Sequence, residues 1–546
     1  MSVSETSVSE LGRVCVKRPG GVPGAGGRGA RLGFAVLLGV GFAVVVVLFV
    51  LASRHAFGGN SDDATLVLEG QSMSSGHLAL QGWALSFDSF WTLDVPFYAV
   101  AAGLLGVGPD LFNVVPAFIA ALVVVTGVCM VRMGRRDLAS LIGASAVIAL
   151  LALPGPDLAY FLLQAGWHVT TALCCLLAFV AVSRSSSRWG LAIAVVLIAA
   201  GLLGDLLTLT LVVIPTLIAG AVCARRRRSW RAGRAHLAVV AGGIGLAVCV
   251  RLIALAIGTY SIVSRSVLAA PSQLLRNIED VPNRLGGLFG FTGIVGGLTS
   301  SPAPLQVTRA ALLVLVIGAV AASVIDIARA LGPRSKAPAS ACEDWRVDDL
   351  LVVAIGCDVG SFVLFGTDSS VSLARYLVPG VIFAAVLSGR ALARLIRQRQ
   401  SLNPRVLALL AVIVVALCAV DFALDSLGAA APQEARQLST FLTSRHLRAG
   451  IGDYWSSSVV SVDTGGSVVV RPVDLSPGGT LVRYGKQTTE AWYSGQSFQF
   501  FVYDTANNWY NVNGAAAAKT FGKPSRIYSV GTYRVLEWPH TIRISP

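Results

Sequence analysis

Apolar runs separated by short polar gaps fill most of the chain up to residue 425. A helix that crosses a bilayer needs about 20 mainly apolar residues, and these runs reach or approach that length. The pattern predicts an α-helical polytopic membrane protein with about 11 transmembrane helices. The predicted spans lie near residues 33–52, 111–131, 138–153, 168–183, 189–204, 206–223, 237–258, 307–327, 349–366, 376–389 and 406–424.

The two ends of the chain depart from this pattern. Residues 1–32 are rich in Gly, Ser and Arg and lack a cleavable signal pattern, which predicts a disordered tail before a transmembrane domain over 33–425. Residues 426–546 show a helical pattern and then short alternating runs between Gly, Pro and Asn clusters, which predicts an α+β domain. The predicted helix is Glu434–Leu447, and the predicted strands include Val459–Val462, Ser467–Arg471, Phe498–Tyr503 and Thr532–Trp538.

The distribution of positive charge predicts the orientation. Lys and Arg gather in the N-terminal tail and in alternate gaps between spans, whereas the other gaps hold only Arg54, Arg265, Arg276, Arg284 and Arg375. Positive residues are retained on the cytoplasmic side, so we expect a multi-pass plasma-membrane protein with a cytoplasmic N-terminus and an extracytoplasmic C-terminal domain. The net charge of +14 is then mainly an orientation signal, because the basic residues do not form one patch for nucleic acid.

The larger polar segments all fall on the predicted outer side, at 54–110, 259–306 and 426–546, so we expect external chemistry. No GxxxxGK[ST] phosphate loop is present, which argues against ATP-driven transport by this chain. The nine cysteines avoid the external domain, so no disulfide framework is expected. No cofactor is assigned. The first external loop offers oxygen ligands to a divalent metal without a defined ligand set, so metal dependence stays open.

The first external loop is unusually acidic, with Asp62, Asp63, Glu69, Asp88 and Asp94 inside 33 residues. The first two lie about ten residues after the first span, near the bilayer surface, where carboxylates meet membrane-borne and water-soluble substrates together. The stretch from residue 78 to 98 is rich in Trp, Phe and Leu, but each central Asp costs about 3 kcal/mol in a span. It therefore fits helices that lie in the interface. The alternative is a solvated acidic loop.

The order of these features resembles the GT-C superfamily of membrane glycosyltransferases, of the protein mannosyltransferase and aminoarabinose transferase type. One span precedes an acidic start, an interfacial segment with Pro96, Phe97 and Tyr98, and a Gly turn. The next span ends in a cluster of arginines, Arg132, Arg135 and Arg136. The resemblance covers roughly residues 33–390, and a family-like external domain follows the last span.

The resemblance implies transfer of a sugar from a polyprenyl-phosphate donor to an extracytoplasmic glycan, lipid or protein. An acidic residue or pair soon after the first span acts as catalytic base in this family, and Asp62 and Asp63 match it. Many members have Asp-Glu and Pro-Pro where this chain has Asp-Asp and a single Pro96, which leaves the subfamily and the sugar open. Glu69, Asp88 and Asp94 are candidates for substrate binding.

Four further polar residues are candidates for substrate binding. Arg375 and Tyr376 begin the tenth span at its outer end, where the resemblance implies an Arg on the lipid phosphate; the alternative is an interfacial anchor. His168 opens the fourth span, where a structural role is the alternative. Arg251 lies inside the seventh span. A charged side chain inside a membrane normally faces the interior of the helix bundle or forms an ion pair, and the expected partner of Arg251 in such a pair is Asp358.

Three remaining hypotheses stay open. Asp205, in the turn after the fifth span, is expected to cap the following helix or to face the site. A flippase for lipid or lipid-linked glycan would also bury Arg and Asp among many spans, although it would not need the acidic loop or the external domain. A non-catalytic envelope-assembly protein would survive alanine at both Asp62 and Asp63.

Overall fold

A computed structural model describes residues 26–86, 88–133, 135, 137–183, 187–226, 228–259, 261–262, 268–291, 303–332, 342–366, 371–399, 401, 403–426, 434–507 and 511–544. The chain divides into two units, residues 1–44 and residues 45–546. The predicted tail lies outside the described residues as far as residue 25, and the first helix begins at Gly26.

Fifteen helices precede the C-terminal region in the part of the chain that the structure describes. They are α1 Gly26–Ala56, α2 Ser61–Ser74, α3 Val95–Leu105, α4 Leu111–Arg132, α5 Leu138–Val147, α6 Pro156–Leu162, α7 Val169–Ser183, α8 Arg188–Gly204, α9 Ile214–Arg226, α10 Arg234–Ala256, α11 Pro271–Leu288, α12 Ala303–Leu331, α13 Cys342–Phe365, α14 Val378–Gln398 and α15 Pro404–Ser426. Each of the eleven predicted spans falls on helix. Short π-helical turns, Ile148–Ala152 and Leu209–Val213, extend α5 and precede α9.

Seven helical segments of the described residues are long and apolar enough to cross a membrane, which supports a multi-pass membrane protein. They are Ala35–Ala56, Leu111–Arg132, Leu209–Arg226, Arg234–Ala256, Leu305–Arg329, Leu373–Gln398 and Pro404–Leu424. An eighth would be the pair Leu138–Ala152 and Pro156–Leu162, which is bent by 81°. The full count of eleven is not confirmed. The short helices include α7, whose 15 residues extend about 22 Å, less than the ~30 Å of bilayer hydrocarbon.

The bend after α5 is held by a buried ion pair. Arg309 of α12 donates to Asp421 of α15 at 2.9 Å and to the carbonyl oxygen of Leu153 at 3.0 Å. A carbonyl freed by a broken helix is costly in a membrane unless it finds such a donor, and a buried charge requires a partner. The pair therefore stabilises the break in the helix.

A second set of ion pairs joins the ends of α5, α9, α13 and α14 that lie close together in the fold. Asp348 of α13 contacts Arg390 and Arg394 of α14, both at 2.5 Å, and Asp349 pairs with Arg226 at the end of α9. Asp137, before α5, accepts from Arg397 of α14 at 2.7 Å. Paired charges of this kind hold α5, α9, α13 and α14 at the end that the charge rule predicts to be cytoplasmic.

Nine strands and three further helices complete the described elements. The strands are β1 Trp83–Leu85, β2 Ser261–Ile262, β3 Ala449–Gly452, β4 Val469–Leu475, β5 Leu481–Arg483, β6 Thr488–Thr489, β7 Phe498–Asp504, β8 Arg526–Val530 and β9 Tyr533–Ile542, and the helices are α16 Glu434–Ser444, α17 Ser458–Asp463 and α18 Gly514–Phe521. A six-stranded sheet has the order β5-β4-β3-β7-β9-β8, with β3 parallel to both β4 and β7. The predicted C-terminal α+β region is confirmed.

One predicted strand is wrong. Val459–Val462 lies in helix α17 rather than in a strand. Its valines have high strand propensity, but Val459, Val460 and Val462 are all buried where the short helix packs against α2 and β4. Packing on two neighbours decides the conformation here, and it overrides the preference of β-branched residues for strands.

A small second sheet joins three distant segments in the order β2-β1-β6. Ala84, in the segment between α2 and α3, pairs in parallel with Ser261 and in antiparallel with Thr488 of the C-terminal region. Next to it, the rings of Trp83 and Trp492 meet edge to face at 5.0 Å, and the Arg471 guanidinium lies 4.0 Å from the Trp492 ring centroid. These contacts fix the first loop against the C-terminal region.

Candidate active site

The start of α2 gives the two adjacent aspartates different roles. Asn60 caps the helix by accepting from the Asp63 amide at 3.0 Å, and the Asp63 carboxylate accepts from the Asn60 amide at 3.2 Å, which forms a capping box. The second oxygen of Asp63 accepts from the amide of Ala165 at 2.8 Å. Burial raises the pKa of Asp63 to about 7, although both backbone hydrogen bonds oppose the shift. Both carboxylate oxygens of Asp63 are thus occupied by backbone amides, those of Asn60 and Ala165.

Asp62 points in another direction, because neighbours on a helix lie about 100° apart around its axis. Its Oδ1 accepts from the Tyr454 hydroxyl at 2.5 Å. Burial raises the pKa of Asp62, while the Tyr454 hydrogen bond and the charge of Arg375 oppose that shift. Asp62 is half-buried, whereas Asp63 is 1% exposed. Of the two candidate bases, Asp62 is the one open to a substrate.

Arg375 provides the positive charge opposite Asp62. It lies in the 3-10 segment Val371–Leu377 just before α14. Its guanidinium lies over two rings, 5.1 Å from the centroid of Trp167 and 4.9 Å from that of Tyr376, and it donates to the Tyr376 hydroxyl at 3.2 Å. Nε is buried and has no hydrogen-bond partner among the described residues. A guanidinium held in this way has a donor left for an anion.

His168 is held behind Tyr376 by a carboxylate. Its Nδ1 lies 2.7 Å from Asp205, which also accepts from Thr171 at 2.5 Å and from the Leu207 amide at 2.9 Å. The imidazole ring stacks on Tyr376 at 4.9 Å, and its Nε2 has no hydrogen-bond partner within the described part of the chain. Asp205 therefore both accepts the backbone amide expected of a cap and orients His168.

Asp88 belongs to the same cluster, whereas the two other candidate acids of the loop lie deeper. The pKa of Asp88 is raised overall: burial and the charge of Asp205 raise it, while the charges of His168 and Arg375 oppose that shift. Asp94 is 5% exposed, and burial raises its pKa to about 7. Glu69 is 1% exposed on α2, and burial raises its pKa well above its usual value. Burial without a positive partner favours the neutral form of a carboxyl.

The two intramembrane candidates lie on α10 and α13. Arg251 is half-buried in α10, and its role in substrate binding stays a prediction. Asp358 accepts from the amide of Gly380 in α14 at 2.9 Å. A Cβ at Gly380 would lie 2.5 Å from an Asp358 oxygen, which only glycine avoids. Asp358 thus fixes the start of α14 below Arg375.

Sequence reasoning missed Tyr454, Gln487 and Trp167 as site residues. No pattern in the sequence distinguished Tyr454, Trp167 or Gln487 from other residues of their types. Tyr454 is 392 residues from Asp62 in sequence, so no local pattern connects them. Among the described residues, no group of three or more His, Cys, Asp or Glu side chains is arranged to hold a metal ion.

The fold is similar to that of a known enzyme. The crystal structure of ArnT from Cupriavidus metallidurans bound to undecaprenyl phosphate matches 92% of this chain and 98% of its own, with a TM-score of 0.51 and 14% identity. The apo structure of the same protein matches 93% and 98%, with a TM-score of 0.51 and 13% identity. ArnT is an aminoarabinose transferase of the GT-C superfamily. The chain has the GT-C fold.

The GT-C fold extends over both the transmembrane helices and the C-terminal region, since the match covers more than nine-tenths of the chain. No protein-family model matches the sequence, and no curated protein matches it. The low identity limits the comparison to the fold, so the roles of individual residues rest on the geometry of this structure.

Proposed function

We propose that the protein is a membrane glycosyltransferase that moves a sugar from a polyprenyl-phosphate donor to an extracytoplasmic acceptor. The observation that supports it best is the placement of Asp62 and Arg375. A half-buried carboxylate and a guanidinium with a spare donor face one centre at one end of the helices. A base for a hydroxyl and a ligand for a phosphate are the two groups that this transfer requires.

In the proposed reaction, Asp62 accepts the proton of the acceptor hydroxyl as its oxygen bonds to the anomeric carbon. The bond from that carbon to the phosphate oxygen breaks, and the lipid phosphate leaves with the bonding electrons. Arg375 stabilises the charge that develops on the phosphate, and Tyr376 and Trp167 hold the guanidinium in place. His168, fixed by Asp205, supports Tyr376 from behind.

An apolar groove provides a place for the polyprenyl chain. It lies between α3 and α4, has a volume of about 540 Å³ and is lined only by apolar residues: Pro96, Phe97, Val100, Ala101, Leu104, Leu105, Val114, Val115 and Phe118. It begins two residues after Asp94, which interacts electrostatically with His168 and Asp205. An isoprenoid chain has no polar groups to satisfy, so it fits such a surface by van der Waals packing, as apolar groups do inside a membrane.

The orientation of the protein in the membrane is a proposal that the positions of the helix ends support. The candidate site lies where the start of α2, the start of α7, the end of α8 and the start of α14 meet. The ion pairs of Asp348 and Asp349 unite the opposite ends of α9 and α14. We propose that the first end is extracytoplasmic and the second cytoplasmic, with the N-terminus in the cytoplasm of a plasma membrane.

The test is sugar transfer in proteoliposomes from a panel of polyprenyl-phosphate sugars. We expect Asp62→Asn to lower transfer by roughly 10²–10⁴-fold, which is the usual contribution of a general base. Asp110→Asn is the matched control, because Asp110 lies on the same loop but forms an exposed ion pair with Arg54 at 2.6 Å. It should keep full transfer.

Three outcomes would contradict the proposal. Lipid movement between leaflets without sugar transfer, unaffected by Asp62→Asn, would favour a flippase. Equal transfer by Asp62→Asn and wild type would exclude Asp62 as the base. If no donor supports transfer and envelope assembly survives Asp62→Ala, the chain is a non-catalytic assembly protein.

A further inference from the structure

One tyrosine of the C-terminal region forms hydrogen bonds with the first residues of α2. The backbone carbonyl of Tyr454 accepts from the Ser61 hydroxyl at 2.6 Å, and the Tyr454 hydroxyl donates to Asp62 at 2.5 Å. Tyr454 is 3% exposed, and its ring stacks on that of Tyr484 at 4.9 Å. Both the backbone and the side chain of Tyr454 are therefore fixed next to Asp62, at the start of α2.

A second residue of the C-terminal region competes for the Tyr454 hydroxyl proton. The Tyr454 oxygen lies 2.6 Å from Oε1 of Gln487, and a hydroxyl has only one proton to donate. An ionised carboxylate is a stronger acceptor than a neutral amide oxygen, so the proton goes to Asp62. The pairing of Thr488 with Ala84 holds Gln487 at this position.

This hydrogen bond acts on the protonation of Asp62. A hydrogen bond to the charged form of a carboxyl favours that form, whereas burial favours the neutral form. The charged and titratable groups that act on Asp62 or respond to it are Tyr454, Arg375, Asp63 and Tyr160. The pKa of Tyr454 itself is raised well above 10 by burial, so the phenol keeps its proton over the working range.

We infer that the C-terminal region completes the catalytic centre, with Tyr454 as a positioning residue that keeps Asp62 ionised and directs its other oxygen toward the acceptor hydroxyl. No hydrogen bond among the described residues engages that other oxygen, Oδ2. The inference rests on the proposed function for its catalytic part. The contact itself is a property of the fold and is testable without transfer.

The first experiment is the pH dependence of kcat/KM for transfer by wild type, Tyr454→Phe and Tyr493→Phe. Tyr493→Phe is the matched control, because it also removes one buried hydroxyl of the C-terminal region, the donor to the Pro472 carbonyl at 2.6 Å. Losing the Tyr454 hydrogen bond raises the pKa of Asp62, so the acidic limb should move to higher pH. On that limb, each unit of movement lowers kcat/KM about tenfold.

The KM for the lipid donor should stay close to wild type in Tyr454→Phe, because Arg375 is unchanged. Asp62→Asn and the Asp62→Asn/Tyr454→Phe double variant should be equally inactive. An unshifted acidic limb in Tyr454→Phe would overturn the inference, as would the same shift in Tyr493→Phe.

The second experiment needs no substrate. Melting midpoints of wild type, Tyr454→Phe, Asp62→Ala and the corresponding double variant form a double-mutant cycle, because alanine removes the acceptor that asparagine would keep; the cycle is measured at pH 8 and at a lower pH. We expect coupling at pH 8 that weakens at the lower pH as Asp62 takes up a proton, and no coupling when Tyr493→Phe replaces Tyr454→Phe. Such coupling without transfer from any donor would support the contact and refute the proposed function. Absence of coupling at both pH values would overturn the inference whatever the activity.

Discussion

Replacing Asp62 and Asp63 one at a time separates catalysis from folding. An Asn at position 63 has one carbonyl oxygen for the two backbone amides, Asn60 and Ala165, that the carboxylate now accepts. One buried amide would then face an NH₂ group, and an unsatisfied buried donor costs about 1–3 kcal/mol. An Asn at position 62 keeps its oxygen for the Tyr454 hydroxyl and removes a charge that burial disfavours. Its cost to stability should be below about 1 kcal/mol.

The assay measures two quantities on each variant in the same detergent: the melting midpoint and the rate of sugar transfer after reconstitution. Asp63→Asn should melt clearly below wild type, and its loss of transfer should follow its loss of folded protein. Asp62→Asn should melt near wild type and lose transfer almost completely. The opposite pattern, a stable but inactive Asp63→Asn beside an active Asp62→Asn, would refute the assignment of the base and return that role to Asp63.

Three further predictions concern other parts of the site. Because the pKa values of Asp63 and Asp94 are raised to about 7, the folded state holds protons that the unfolded state releases near pH 4. The melting midpoint should therefore fall as pH rises from about 4 to 7, and this dependence should be weaker in Asp63→Asn. A midpoint that rises over this range would contradict the burial of both groups. Arg375→Lys keeps the charge but loses the planar donors, so we expect a KM for the lipid donor raised about tenfold or more in transfer assays, and an unchanged KM would place the phosphate elsewhere. Gly380→Ala places a methyl group on Asp358, so we expect a loss of about 1–3 kcal/mol in thermal unfolding, while an unchanged midpoint would show that the start of α14 adapts.

The helices were largely predictable from sequence because each apolar run is long and has a single interpretation. All eleven predicted spans fall on helix in the described structure. The bend after α5 was not predictable, because it depends on Arg309 reaching the Leu153 carbonyl from a helix 156 residues away. The short run Val459–Val462 was misassigned for a related reason, since its neighbours in space rather than its composition decide its conformation.

The candidate site was predictable in composition but not in geometry. Asp62, Asp63 and Arg375 stood out because their residue types and positions relative to the spans suit a base and a phosphate ligand. Which aspartate faces the substrate depends on the Ala165 amide and the Tyr454 hydroxyl, 102 and 392 residues away in sequence. A single sequence contains no signal for such partners, so the sequence prediction named the pair without separating its two members.

The sheet β2-β1-β6 has a consequence for the biogenesis of the protein. Its last strand, β6, follows every transmembrane helix in the chain, so the first external loop is synthesised more than 400 residues before the strand that fixes it. Contacts this distant in sequence form late, because the intervening chain must be ordered first. During insertion, the acidic start of α2 is thus without its tyrosine and its strand partner. The site becomes complete only when translation has passed residue 489, after every described helix of the bundle has been synthesised.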